Sequence, residues 1–169
     1  TILYVTHDQE VALAISDRLA ILDKDGYIKQ VGTPEEIFEH SADEFVFTFM
    51  GIANLLPMAL KGGRAHLGGR ELLPEIAPPK DKAGQGELVA GCRPMDIELT
   101  RDEGHLAGLV KRVALLGPII DYRVAVGETE IRVQQDTQEA LRDRLVFAEG
   151  ETCHLCFHDL KWFGGEPGQ

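Results

Sequence analysis

Apolar positions in the first fifty residues come in two spacings. Ile2, Leu3, Tyr4 and Val5 form an unbroken apolar run. Four residues are too few for an independent helix. A run rich in β-branched and aromatic side chains predicts a strand buried on both faces, as in a parallel sheet. Thr6, His7 and Asp8 close it with polar groups, at the strand end where open α/β sheets place ligand chemistry. From Gln9 the spacing becomes helical, with Val11, Leu13, Ala14 and Ile15 apolar and Thr6 or Asp8 as N-cap candidates. Leu19–Leu22 predicts a strand, Asp23–Gly26 a turn and Tyr27–Val31 the returning hairpin partner. Thr33-Pro34-Glu35-Glu36 is a helix start, with an N-cap, a proline at the first helical position and acids in the first turn. Ser41 or Asp43 can cap a further helix in which Phe45, Val46, Phe49 and Met50 recur.

Gly51–Asn54 reads as a hinge, and beyond it the pattern shortens to strands punctuated by glycine. Leu55–Leu60, Arg64–Leu67 and Arg70–Leu73 are hairpin-like, and 77–86 is a loop by composition. Glu87–Cys92, Ile97–Thr100, a run His105–Leu116 long enough to carry a bulge, Ile119–Val126, Thr129–Gln135 and Glu151–His158 are further predicted strands. Gln138–Leu145 is the helical candidate of this half. Many short strands with one short helix predict a small β-barrel or sandwich. The fold class expected is mainly β with a small α/β N-terminal remnant. The domain limits expected are 1–53, 54–163, and a disordered tail at 164–169.

Composition narrows the function classes. The 169 residues are 44% hydrophobic and 27% charged, as in a soluble globular protein. No apolar run reaches the roughly 20 residues that span a bilayer, and no signal-peptide pattern opens the chain, so a cytoplasmic location is the default. A formal net charge of −11 opposes binding to nucleic acid and adhesion to anionic lipid.

The octet Val5-Thr6-His7-Asp8-Gln9-Glu10-Val11-Ala12 resembles the switch segment (H-loop) of ATP-binding-cassette (ABC) ATPases, the nucleotide-hydrolysing subunits of importers. Ser16–Leu22, Gly26–Phe38 and Phe45–Gly51, with Asn54 shortly after, resemble the end of that catalytic domain. A looser likeness runs through Arg93-Pro94 and Leu116-Gly117 to the end, where the chain looks like the OB-like regulatory (TOBE-type) domain of those subunits. No G-x-x-x-x-G-K-[ST] phosphate loop, signature loop or acidic Walker B strand is found. The resemblance therefore implies a fragment, the tail of an ATPase domain followed by a regulatory domain. ATP and Mg²⁺ would serve the parent protein and no cofactor the fragment. The partners implied are a transmembrane permease and a second copy of the chain, at the inner face of the membrane. The text from Arg93, with its closing Leu160–Phe163, leans toward the sulfate or thiosulfate type, with polyamine, sugar and iron importers sharing much of it. A free-standing oxyanion-binding β-barrel is the competing reading.

Candidate residues follow. His7 matches the histidine that, in the family, senses the ATP γ-phosphate and helps position the attacking water. The bland alternative is a hydrogen-bonded surface histidine, and Asp8 reads as a helix cap. Arg93, in Arg93-Pro94-Met95-Asp96, is a ligand or regulatory candidate, with a turn ion pair favoured over it. Gly117 is a second, through exposed backbone N–H groups, against a simple barrel bend. Cys153-His154-Leu155-Cys156 has zinc or redox spacing. In a strand, however, Cys153, Leu155 and Phe157 would face the core and His154, Cys156 and His158 the other side. No metal site is expected. Three cysteines cannot all pair internally, and reduced thiols suit the cytoplasm.

Overall fold

Side-chain caps set the helices at the start of the chain. In the computed structural model, which describes residues 2–73, 75–82 and 86–164, α1 (Gln9–Ile15) begins where Asp8 accepts a hydrogen bond from the Val11 N–H at 3.0 Å. α2 (Pro34–Glu39) carries a complete capping box. The Thr33 hydroxyl accepts from Glu36 N–H at 3.2 Å, and the Glu36 carboxylate accepts from Thr33 N–H at 2.9 Å. α3 (Glu44–Phe49) is capped by Asp43, which also pairs with Lys29 at 2.9 Å. Between α1 and α2 lies an antiparallel hairpin of β1 (Leu19–Leu22) and β2 (Ile28–Gly32). Its turn is tied by the Asp23 carboxylate, which accepts from Asp25 and Tyr27 N–H, and by Gly26 at φ +84°. Ile21, Ile37, Val46 and Met50 form the core of this unit, with Leu13, Leu19 and Phe49 against it.

The apolar run at the start departs from expectation. Ile2–Val5 is not a strand, and Ile2, Leu3 and Val5 are 93%, 90% and 87% exposed. A strand draws its backbone hydrogen bonds and its buried faces from neighbours. Among the described residues no strand pairs with this run.

The chain divides into two units between Ala53 and Asn54. The second unit consists of two five-stranded antiparallel sheets around one core. The first sheet contains β3 (Asn54–Lys61), β4 (Arg64–Leu67), β5 (Arg70–Glu71), β6 (Glu87–Cys92) and β12 (Lys161–Gly164), in the order β12-β6-β3-β4-β5. The second contains β7 (Ile97–Thr100), β8 (Leu106–Leu115), β9 (Ile119–Val126), β10 (Thr129–Asp136) and β11 (Thr152–Phe157), in the order β10-β9-β8-β11-β7. A 3₁₀ turn (Pro94–Asp96) links β6 to β7, and α4 (Thr137–Asp143) follows β10. Leu56, Met58 and Leu67 of one sheet share a core with Tyr122, Val124, Ile131 and Leu155 of the other. The expected bulge in β8 is present, where the register with β9 shifts between Val110 and Arg112.

Two boundaries need correction. The strand expected over Arg70–Leu73 stops at Glu71. Gly164, placed in a disordered tail by the sequence reading, is the last residue of β12 and pairs with Leu88. Its partner strand supplies a ladder that the sequence of Lys161–Gly164 does not announce. The rest of that tail, 165–169, lies outside the described residues.

Candidate functional site

His7 is the candidate that depends on the first unit. It sits in a bend just before α1, exposed, between two residues that organise the backbone around it. The Thr6 hydroxyl accepts from Asp8 N–H at 2.9 Å, and Asp8 caps the helix. Asp8 is thus a cap, as its position before Gln9 predicts. His7 stands on a short turn rather than at the end of a paired strand, because Ile2–Val5 has no strand partner among the described residues.

Arg93 and Gly117 both lie in the second unit, on separate turns. Arg93 precedes the 3₁₀ turn, and its carbonyl accepts from Asp96 N–H at 3.1 Å. Burial lowers the Arg93 pKa, and the nearby Asp96 charge works the other way. The Asp96 carboxyl is pushed up by its own burial and by Asp159. The Asp96 carbonyl accepts from His158 N–H at 2.9 Å, tying this turn to the end of β11. Gly117 occupies the β8–β9 turn at φ +81°, with open space where a Cβ would stand. Its carbonyl accepts from the Thr137 hydroxyl at 2.7 Å, and the Pro118 carbonyl accepts from Thr137 N–H at 2.9 Å. The neighbouring Leu116 N–H is taken by the Ile119 carbonyl at 2.8 Å. The turn therefore anchors the start of α4, and glycine is there for its dihedral angle.

The cysteine segment alternates as a strand must. Cys153, Leu155 and Phe157 are buried, while His154 and Cys156 are half-buried and His158 is exposed. Cys153 and Cys156 therefore face opposite sides of β11 and cannot form a C-x-x-C redox pair. On the outer side each group has its own partner: His154 Nδ1 lies 3.1 Å from the Arg101 carbonyl and His158 Nε2 3.1 Å from Glu98. Burial pushes the Cys92 thiol up to about 12 and the Cys153 thiol up to about 11. Both are inert as nucleophiles near neutral pH.

One polar cluster escaped the sequence reading. Asp121 on β9 accepts from Arg132 Nε at 2.6 Å and from Gln134 Nε2 at 3.0 Å, both on β10. The signal available was an acid on one strand of a predicted hairpin facing two donors on the other. Register decides such a contact, and register was not assigned from sequence.

Residues 90–163 match the family described as the TOBE domain. The chain is a relative of the ATP-binding subunits of ABC importers, and residues 90–163 are its TOBE domain. It is 35% identical over 164 residues to the spermidine/putrescine import ATP-binding protein PotA of Ruegeria pomeroyi, covering 93% of this chain and 43% of that protein. It is 36% identical over 164 residues to the Fe(3+) ions import ATP-binding protein FbpC of Escherichia coli, covering 96% and 44%. The sulfate/thiosulfate import ATP-binding protein CysA of Nitrosomonas europaea matches at 36% over 128 residues, covering 74% and 34%. The chain thus spans less than half the length of these relatives. The solutes named for these relatives are a polyamine, ferric iron and sulfate or thiosulfate, at nearly equal identity, so the likeness has no solute preference. The molybdate-bound cytoplasmic protein ModG superposes with a TM-score of 0.46 at 16% identity, over 66% of this chain and 96% of that one. Among the described residues no helix is long and apolar enough to cross a membrane.

Proposed function

We propose that the chain is the C-terminal portion of an importer ATP-binding subunit, in which the TOBE domain regulates ATP hydrolysis coupled to solute uptake. The observation that carries this is the extent of the relatives' likeness. It covers 93% and 96% of this chain for PotA and FbpC, so it extends well beyond the TOBE domain into residues 1–53. On this reading residues 1–53 contribute the end of the catalytic domain, and the parent protein binds ATP with Mg²⁺. His7 would meet the γ-phosphate there and orient the attacking water. An imidazole suits that work because its two ring nitrogens can accept and donate hydrogen bonds. The subunit would sit in the cytoplasm, held to the membrane through permease subunits.

His7 cannot act alone. Phosphoryl transfer relies on positioning and charge stabilisation by a phosphate loop, a metal ion and a water-orienting group together. The 169-residue chain should show no ATP turnover above background. The test is a chimaera in which this chain replaces the matching part of the Ruegeria relative. With His7 intact it should hydrolyse ATP. With His7→Ala, kcat should fall at least about tenfold with little change in ATP affinity, the signature of an interaction made in the transition state. An unchanged kcat would remove His7 from the site.

The same reading includes self-association. Ile2, Leu3, Tyr4 and Val5 form a continuous exposed apolar stretch, and covering each such side chain is worth about 1.5–3 kcal/mol. A second copy, meeting the first about a two-fold axis, is the partner proposed for it.

A further inference from the structure

We propose that His105 is a pH-operated latch, whose neutral ring closes the corner where β11 leaves β8 and whose protonation opens it. β11 pairs with β8 as far as Leu155, opposite Leu106. One step beyond, the His105 N–H still donates to the Leu155 carbonyl at 2.8 Å. Residues two apart on a strand turn their backbone groups to the same side. Phe157 therefore aims its N–H toward β8, which begins only at Leu106. The imidazole stands in for the missing strand, and Phe157 N–H donates to His105 Nδ1 at 2.9 Å. The two rings also lie nearly parallel, with 10° between their planes and 6.2 Å between their centroids. Phe157 is buried, so its N–H depends on this acceptor.

A ring nitrogen that accepts from an N–H carries no proton. The His105 ring is thus neutral in this place, with its proton on Nε2. In the protonated ring both nitrogens are donors, and Nδ1–H would face Phe157 N–H. The ring must then turn away, and a buried backbone donor loses its acceptor. The backbone beside it has no slack to absorb this, since a Cβ on Gly104 would lie 2.8 Å from His154 Cβ. The corner that opens holds more than one residue. Phe157 pairs with Ile97 of β7, and His158 N–H donates to the Asp96 carbonyl. Release at His105 therefore loosens the start of β7 and the 3₁₀ turn that follows Arg93.

Titratable groups meet the ring from several elements. Burial lowers the His105 pKa, Glu75 between β5 and β6 works against that, and His158 just past β11 works with it. His158 Nε2 is itself 3.1 Å from Glu98 of β7. Cys156 stays a thiol at acid and neutral pH, because burial raises its pKa. Asp96, pushed up by burial and by Asp159, favours the fold when it takes a proton and so acts in the opposite sense. For His105 the folded pKa lies below the unfolded value of about 6.5. Its contribution is complete above that value and is lost as pH falls through the folded one. All these groups lie in the second unit, so the latch stands independently of the importer reading.

The test is hydrogen exchange of the Phe157 amide in the whole chain, at about pH 7.5 and about pH 5, corrected for the intrinsic rate. Protection should fall about fivefold or more in the wild type. His105→Asn offers an amide oxygen near the place of Nδ1 and does not titrate, so protection should persist at both pH values. His105→Ala should be poorly protected at both. His158→Gln should keep the fall, since the other imidazole of this corner is not the latch. The ¹⁵N shifts of the wild-type ring report the tautomer without any substitution, and should show the proton on Nε2 at neutral pH. A proton on Nδ1, Phe157 protection indifferent to pH, or a fall undiminished in a folded His105→Asn would overturn the proposal.

Discussion

Asn54 and Arg132 exchange two hydrogen bonds of 2.8 Å, with the Asn54 side-chain amide bonding the Arg132 backbone as though it were a residue of a neighbouring strand. Asn54 Nδ2 donates to the Arg132 carbonyl, and the Arg132 N–H donates to Asn54 Oδ1. The first residue of β3 is thereby fastened to the edge strand of the other sheet. The Arg132 side chain turns back across its own sheet to Asp121. Sheet edges carry backbone groups in need of partners, and this pair supplies one donor and one acceptor at once.

Asn54→Ala should therefore destabilise the second unit by about 2–4 kcal/mol, because it strands a backbone donor and acceptor in a part-buried place. Asn54→Asp keeps the acceptor, loses the donor and should cost less. Urea denaturation followed by Trp162 fluorescence measures both. A midpoint unmoved by the alanine would mean that water replaces the amide freely.

The glycines of the β4–β5 turn should not be equivalent to those of the β3–β4 turn. Gly62 and Gly68 have nearly the same dihedral angle, φ +59° and +56°. At Gly62 a Cβ would meet open space, whereas at Gly68 it would strike the Val126 carbonyl oxygen. Gly62→Ala should cost only the left-handed strain of about 1–2 kcal/mol. Gly68→Ala must also push two turns apart, so its melting temperature should drop further. Equal losses in the two variants would show that the turn contact yields without cost.

Much of this fold was legible where a local rule decides. The capping residues before α2 and α3 and the strands Glu87–Cys92, Ile97–Thr100 and Ile119–Val126 follow from alternation and from the turn residues beside them. Failures came where the partner decides. Ile2–Val5 has a strand's composition, and without a neighbour it forms none. Lys161–Gly164 has no alternation, and becomes a strand because β6 offers it an edge. The candidate sites divide in the same way. His7 was found through a contiguous motif. His105 and Phe157 lie far apart in the chain, and only the pairing of β11 with β8 brings them together.

Alkali should unfold the protein through its buried thiols. An unfolded cysteine deprotonates near pH 9, while Cys92 holds its proton in the fold to about 12 and Cys153 to about 11. Their folded pKa values are raised, so the stability they contribute is complete below pH 9. It is lost as pH climbs from there through the folded values. The Tyr122 hydroxyl, also pushed up by burial, acts in the same direction. Denaturation midpoints at pH 8, 9.5 and 11 should fall steadily. Cys92→Ala should start from lower stability and show a shallower fall. A fall as steep as in the wild type would mean that Cys92 meets water at high pH.

The exposed apolar run gives a prediction in which stability and association come apart. Leu3 and Val5 touch little of their own unit, being 90% and 87% exposed, while its core is Ile21, Ile37, Val46 and Met50. Substitutions on such a surface usually change stability by no more than about 0.5 kcal/mol. In the pairing proposed above, the same side chains would be buried against a second copy, at about 1.5–3 kcal/mol each. Leu3→Ser with Val5→Ser should thus leave the denaturation midpoint of dilute protein nearly unchanged. Sedimentation across a concentration series should show its dimerisation weakened by two orders of magnitude or more. Because the contact is apolar, the wild-type constant should change little between low and high salt, whereas a pairing of charged faces would be screened. A wild type that stays monomeric at tens of micromolar, or a double variant that dimerises as well as its parent, would assign this run to a partner other than a second copy.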